Sequence, residues 1–293
     1  MTAQELIDRA VEILEAAPAI DHWQKDRERI EAEELLDILI GTDWRAGDEI
    51  IDPSVGRRFR RLVARRATGE PVPYIRGTVE FRGLRLMARP GVFVPRESSE
   101  FLAEQAVRRL RRRRTPVAVD LATGSGPVAL SIANEVKGAE VYGTDLSKEA
   151  IGLARRNARK LGLDVRFLLG DLFGALPRRI AGRVDVLTFH PPYVGRRELR
   201  DLPEEVLKFE PVMSLTDHSP KGMGLIERGA SESWDWLRPG GWLLVEVSSD
   251  RSRSVATILR RAGYSSVRST KGDLGVTRVL TARAGPRIAS RRT

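Results

Sequence analysis

The chain has 293 residues, enough for one large α/β domain and a small second one. It has no Cys, which excludes disulfides and thiolate metal sites, and its three His, at 22, 190 and 218, lack ligand spacing, so no metal is expected. No run of about eighteen or more apolar residues suggests a membrane span, no basic stretch followed by an apolar one marks a secretory leader, and a cytoplasmic protein is expected.

The net charge is +10, and seven of the fifty cations are Lys, the rest Arg. Arg forks suit phosphate groups, so proximity to nucleic acid or the ribosome is one reading. A solvated Arg-rich surface is the other. The densest run, Arg108 to Arg114, falls at a predicted helix end, where cations suit the dipole.

Apolar residues at helical spacing predict helices over 3–16 and 26–41, carried by Leu6, Val11, Ile13 and Leu14 and then by Ile30, Leu35, Leu36, Leu39 and Ile40. Gly41 suits the stop of the second. A third helix is predicted over 54–68, with Phe59, Leu62 and Val63 on one side. These form a helical N-terminal module, 1–69. Pro and Gly punctuate the connector 70–96, in which Thr78–Phe81 and Leu84–Met87 flank Arg82-Gly83 and read as a hairpin.

From 97 to 283 strands and helices alternate, the pattern of a mostly parallel sheet with crossover helices. Strands are predicted at 117–121, 140–144, 165–169, 184–189 and 242–247, and helices at 97–113, 127–136, 147–161, 222–237 and 251–262. Ser265–Thr270 and Val276–Thr281 have no helix between them, which predicts an antiparallel terminal pair. Residues 284–293 read as a frayed basic tail.

Val117–Leu121 runs into Ala122-Thr123-Gly124-Ser125-Gly126 and then a helix opened by Pro127, where a missing N–H costs nothing. Gly124 and Gly126 let backbone approach a ligand. Asp145 ends the next strand, placed to accept from ribose hydroxyls. The same residues satisfy a dinucleotide fingerprint, so the loop alone does not separate NAD from S-adenosylmethionine. Asp120 tips the balance, because an acid there repels a pyrophosphate and suits a sulfonium or amino group. The antiparallel ending points the same way, being usual for class I methyltransferase sheets. Asp171 and Leu172 are placed to bracket an adenine; a helix-capping turn would use Asp171 equally well.

After Val184–Phe189 comes His190-Pro191-Pro192-Tyr193. A planar amide or arylamine nitrogen is a poor nucleophile, and acceptors on both its N–H bonds can hold it in line with an electrophilic methyl. The side chain at 190 and the Pro191 carbonyl would be those acceptors, the prolines stiffen the loop, and Tyr193 supplies a flat wall.

From about residue 30 to 283 the chain resembles the HemK/PrmC type of protein-glutamine N5-methyltransferase, which modifies the Gly-Gly-Gln loop of peptide chain release factors. Arg65 to Pro71 with Tyr74, Gly77, Glu80 and Phe81 is similar to that family's connector, and Val94 to Glu100 to its Pro-Arg-x-x-Thr-Glu segment. Phe209-Glu210-Pro211, Gly222 with Gly224, and Pro239-Gly240-Gly241 follow in the family's order.

The resemblance implies a Rossmann-like class I domain, S-adenosylmethionine as cofactor, and release factors as partners gripped with help from the helical module. It implies cofactor contacts from Ala122 to Gly126, Asp145 and Leu172, and a glutamine held by His190 to Tyr193, with His190, Pro191 and Tyr193 as the catalytic set. Two residues depart from the family pattern: Ala122 replaces a Gly, and His190 replaces an Asn. Neutral imidazole offers one acceptor nitrogen and imidazolium none. The change at 190 leaves two alternatives to glutamine methylation: transfer to a nucleic-acid amino group, or an inactive paralogue.

Overall fold

The computed structural model describes residues 1–286 apart from 23, 47–49, 273–274 and 276. Three helices open the chain: α1 (Ala3–Glu15), α2 (Arg27–Ile40) and α3 (Pro53–Ala67). Thr2 and Glu5 cap α1 reciprocally, and Asp52 caps α3. Leu6, Ile7, Leu14, Leu35, Leu36, Phe59 and Val63 interlock in a core of their own, which gathers residues from both apolar runs.

The short α4 (Val72–Arg76) then leads to the hairpin β1 (Thr78–Phe81) and β2 (Leu84–Met87). A single turn, Glu97–Ser99, precedes α5 (Glu100–Leu110). The alternating part follows: β3 (Val117–Leu121), α6 (Pro127–Glu135), β4 (Glu140–Asp145), α7 (Lys148–Leu161), β5 (Arg166–Leu169) and β6 (Val184–Phe189). After it come α8 (Glu204–Phe209), α9 (Gly224–Glu232), β7 (Leu237–Ser248), α10 (Ser252–Arg261), β8 (Ser265–Lys271) and β9 (Thr277–Arg283).

Seven strands form one sheet in the order β5-β4-β3-β6-β7-β9-β8. The ladders joining β5, β4, β3, β6 and β7 are parallel, whereas β9 is antiparallel to both of its neighbours, β7 and β8. Successive strand residues serve opposite faces. Val119, Leu187, Leu243 and Leu280 pack with α9 and α10, while Ala118, Val186, Leu244 and Val279 pack with α5, α6 and the hairpin. β3 and β6 are buried along their whole length, as central parallel strands must be.

Four boundaries differ by three residues or more from those predicted. The helix expected over 97–113 begins only at Glu100 and ends at Leu110. The one expected over 222–237 stops at Glu232, because Trp234 and Trp236 are drawn out of helical register. Trp234 donates to the Ala262 carbonyl at 2.8 Å, and Trp236 stacks on Phe173. β7 accordingly starts at Leu237 rather than 242, running through Pro239-Gly240-Gly241. Helices α4 and α8 went unread, since each is a short run set among prolines; a Pro in a first helical turn is tolerated, so it need not mark extended chain. The predicted tail lies outside the described residues from 287 onward, as does part of the turn at 271–275. Among the described residues no helix is long and apolar enough to cross a membrane.

Candidate active site

From β3 the chain winds outward through β4 and β5, then returns to β6 on the other side of β3 and continues to β7. β3 and β6 therefore meet at the switch point of the sheet, where their carboxyl ends leave a crevice. The register sets Leu121 beside both Phe189 and Thr144, so Ala122, His190 and Asp145 follow side by side. Above them opens a cleft of about 380 Å³, a volume suited to a small organic ligand. Ala122, Thr123, Gly124, Ser125, Asp145, Asp171, Leu172, His190, Pro191 and Pro192 all line it.

The loop after β3 is held from beneath. Asp120 is buried and accepts from the hydroxyls of Thr123 at 2.6 Å and Thr188 at 2.7 Å. Burial pushes its carboxyl up to about 6, against those hydrogen bonds. Ala122 adopts φ +51, in the left-handed region, where a Cβ costs about 1 kcal/mol. Gly126 is a correction to the sequence reading. A Cβ there would stand 2.6 Å from the Phe167 ring, so its bareness lets α6 close on the sheet, and it does not line the cleft.

Asp145 accepts from the amides of Gly124 and Ser147, both at 2.8 Å, and burial raises its pKa. Each of its oxygens keeps a lone pair for a ligand hydroxyl. Asp171 reaches the rim, where its carboxylate is shared with Arg228 at 3.0 Å. Leu172 turns at φ +45 with its side chain in the core. The charge of the lining is acidic: Asp120, Asp145, Asp171 and Asp217 all contribute, and the cations Arg96 and Arg228 are already paired, with Glu210 and Asp171. Among the described residues a pyrophosphate would meet carboxylates and no free cation, whereas a sulfonium and an amino group meet complementary charge. The hydroxyls of Ser125 and Thr144 are buried without a hydrogen-bond partner among the described residues, leaving polar capacity in two lining residues.

On the other side of the switch point, His190 is about one-fifth exposed, with Nδ1 3.2 Å from Ser99 Oγ. The ring lies edge-on to Phe93 and stacks on Tyr193, with centroids 6.0 Å apart for the latter. Tyr193 is therefore not a wall of the cleft, as the sequence suggested, but a support behind the imidazole. Burial, with Glu246 adding to it, pushes its phenol up to about 12. Gly222, at φ +66, abuts the Tyr193 carbonyl so closely that a Cβ would sit 2.0 Å from that oxygen, which fixes the loop from outside.

Four contributors escaped the sequence reading: Thr188, Ser99, Asp217 and Glu246. Glu246 carried a signal, since an acid in Trp242–Val247 interrupts an otherwise apolar strand just as Asp120 interrupts β3. Ser99 sits in the Val94 to Glu100 segment, at the Thr position of the family pattern, but that pattern gave it no partner; Asp217 comes from a segment that no local pattern marks.

Comparison with known proteins agrees with this architecture. Residues 5–77 match the PrmC N-terminal domain and residues 118–209 a methyltransferase domain. The release factor glutamine methyltransferase of Bordetella pertussis is 36% identical over 255 residues, covering 86% of this chain and 93% of its own. That of Geobacter sulfurreducens is 34% identical over 262 residues, covering 88% and 90%. Among solved structures, a methyltransferase from Pyrococcus furiosus superposes with a TM-score of 0.51 at 20% identity, over 70% of this chain and 90% of that one, a likeness of fold.

Proposed function

Because the chain belongs to the release factor glutamine methyltransferases, we propose that it transfers a methyl group to the side-chain nitrogen of a glutamine, the one in the Gly-Gly-Gln loop of peptide chain release factors. The enzyme is an S-adenosylmethionine-dependent methyltransferase. The observation that carries the reading is a single cleft lined from one side by the loop after β3 with Asp145, and from the other by His190 to Pro192. S-adenosylmethionine supplies an electrophilic methyl on a positively charged sulfur. Ala122 to Ser125 would approach it with backbone, Asp145 would accept from its ribose, and Asp171 with Leu172 would flank the adenine. Asp120 and Asp145 give that charge a favourable field at the floor of the cleft.

The acceptor nitrogen needs orientation more than activation by charge. Its two N–H bonds would be met by the His190 ring and the Pro191 carbonyl, and the paired prolines hold those acceptors still. In the test, purified enzyme is incubated with methyl-labelled S-adenosylmethionine and each release factor, and the Gly-Gly-Gln tryptic peptide is counted. Label in that peptide is the expected result. A release factor left unlabelled, with label appearing instead in ribonuclease-sensitive material, would transfer the reading to a nucleic-acid acceptor.

The basic surface supports a finer reading of where the enzyme works, close to ribosomal RNA. On α3, Arg57, Arg58, Arg60 and Arg61 are exposed, and none makes a salt bridge among the described residues. One turn of helix rises about 5.4 Å, so Arg57 and Arg61 stand about one phosphate spacing apart along a strand.

A further inference from the structure

Glu246 lies on β7 with no exposed surface. Its Oε1 accepts from Ser98 Oγ at 3.1 Å, while its Oε2 has no hydrogen-bond partner among the described residues and stands 3.8 Å from His190 Nδ1. A carboxylate withdrawn this far from water is costly unless an opposite charge can form beside it. The imidazole is the neighbour that can supply one.

The tautomer follows from what surrounds Nδ1. A lone pair there would point toward a carboxylate, which has only lone pairs to offer, whereas an N–H is attracted by it and can also donate to Ser99 Oγ. The proton is thereby assigned to Nδ1 and the lone pair to Nε2. Among the described residues no hydrogen bond engages Nε2, and His190 lines the cleft.

We propose that His190 is the catalytic base of the methyl transfer, with Glu246 as its positioning residue. The inference rests on the methyltransferase reading above. As the acceptor nitrogen gains the methyl, the electron pair of the methyl's former bond stays on the donor sulfur. The nitrogen gives up one of its two hydrogens as a proton, its N–H electron pair returning to nitrogen, and Nε2 takes that proton. The resulting imidazolium faces Glu246 and is reset by exchange with water. An Asn at this position can hold the nitrogen but cannot accept its proton, so the His brings a function that the resembled family's residue lacks.

Other charged or titratable groups face this region. They are Tyr193, stacked on the ring; Arg96, paired with Glu210; Asp250, just beyond β7; and Asp120 on the neighbouring β3. Asp120, with its carboxyl near 6, is a competing source of any fall in rate on acidification. Substitution at 190 separates the two, because a contribution from Asp120 persists when the ring is gone.

The test has a reading independent of turnover. Nitrogen-15 spectra of histidine-labelled protein contain three rings, and His190→Asn identifies the one in question. The expected spectrum has His190 as the Nδ1–H tautomer, and Glu246→Gln, by removing the carboxylate that attracts that N–H, moves the ring toward the Nε2–H form. In kinetics Glu246→Gln lowers kcat on the order of tenfold or more with little change in KM, and that loss shrinks at least roughly tenfold when measured on the His190→Asn background. An unchanged tautomer, or the same loss in both backgrounds, would leave Glu246 a packing residue and overturn the proposal. Wild-type enzyme that labels no release factor, together with a tautomer that Glu246→Gln does change, would instead sink the substrate reading and leave the His–Glu pair standing.

Discussion

Ala122 holds a backbone conformation that glycine reaches freely and alanine does not. The small methyl makes the strain bearable, and a branched side chain at the same angle would not. Ala122→Val should therefore lower stability by about 1–2 kcal/mol or more, while Ala122→Gly should leave the thermal midpoint unchanged or slightly raised. Equal destabilisation by both would show that the angle is not what matters there. Asp120 makes a prediction with a definite sign. Its folded-state pKa, about 6, is raised above that of an unfolded Asp by burial, so its protonated form favours folding. That contribution is complete below about pH 4 and is lost as pH rises through 6. Wild type should thus lose stability relative to Asp120→Asn between pH 4 and 7, by at most roughly 3 kcal/mol; a constant gap across that window in paired melts would refute it.

The N-terminal helices are joined to the catalytic domain by a buried ion network, and α8 is the element that receives it. Glu205 of α8 binds Arg27 of α2 through two oxygens at 2.8 and 3.1 Å, and binds Arg66 of α3 at 2.7 Å. Arg66 has no exposed surface and also meets Glu31 at 2.7 Å. Gly69 packs directly on the Glu205 backbone. Removing one member strands charge in the interior, so Glu205→Ala should cost about 3–5 kcal/mol. Arg66→Met added to it should return part of that loss; additive losses in denaturant titrations would show the network to be uncoupled. None of this was legible beforehand, because α8 is six residues long and its partners lie far away in sequence. The long elements were readable for the opposite reason. β3 and β6 are mostly apolar runs of strand length, and α1 and α7 carry their own capping residues, so local chemistry alone announces them.

At the scale of the whole molecule, an acidic cleft at the switch point contrasts with a basic face on α3. The loop after β3 was legible as a lining of the cleft because glycines and acids mark it locally. The orientation of His190 was not, since it is set by Ser99 and Glu246, which reach it only after the sheet assembles. The basic face yields a salt-dependent expectation. Replacing Arg57, Arg58, Arg60 and Arg61 by Gln should weaken binding to ribosomal RNA and flatten the dependence of log affinity on log salt by up to about four units if every guanidinium meets a phosphate. An unchanged slope in filter-binding assays would assign those arginines to plain solvation.

The placement of β9 bears on how the enzyme comes into being. This strand slips between β7 and β8, and Val279 lies directly across from Glu246. While residues 277–283 are still inside a translating ribosome, β7 presents an open edge, β8 has no partner, and the acid behind His190 lacks one of its flanking strands. The sheet is therefore finished from within, by an interior strand that must be released after both the edge it joins and the strand it pairs with.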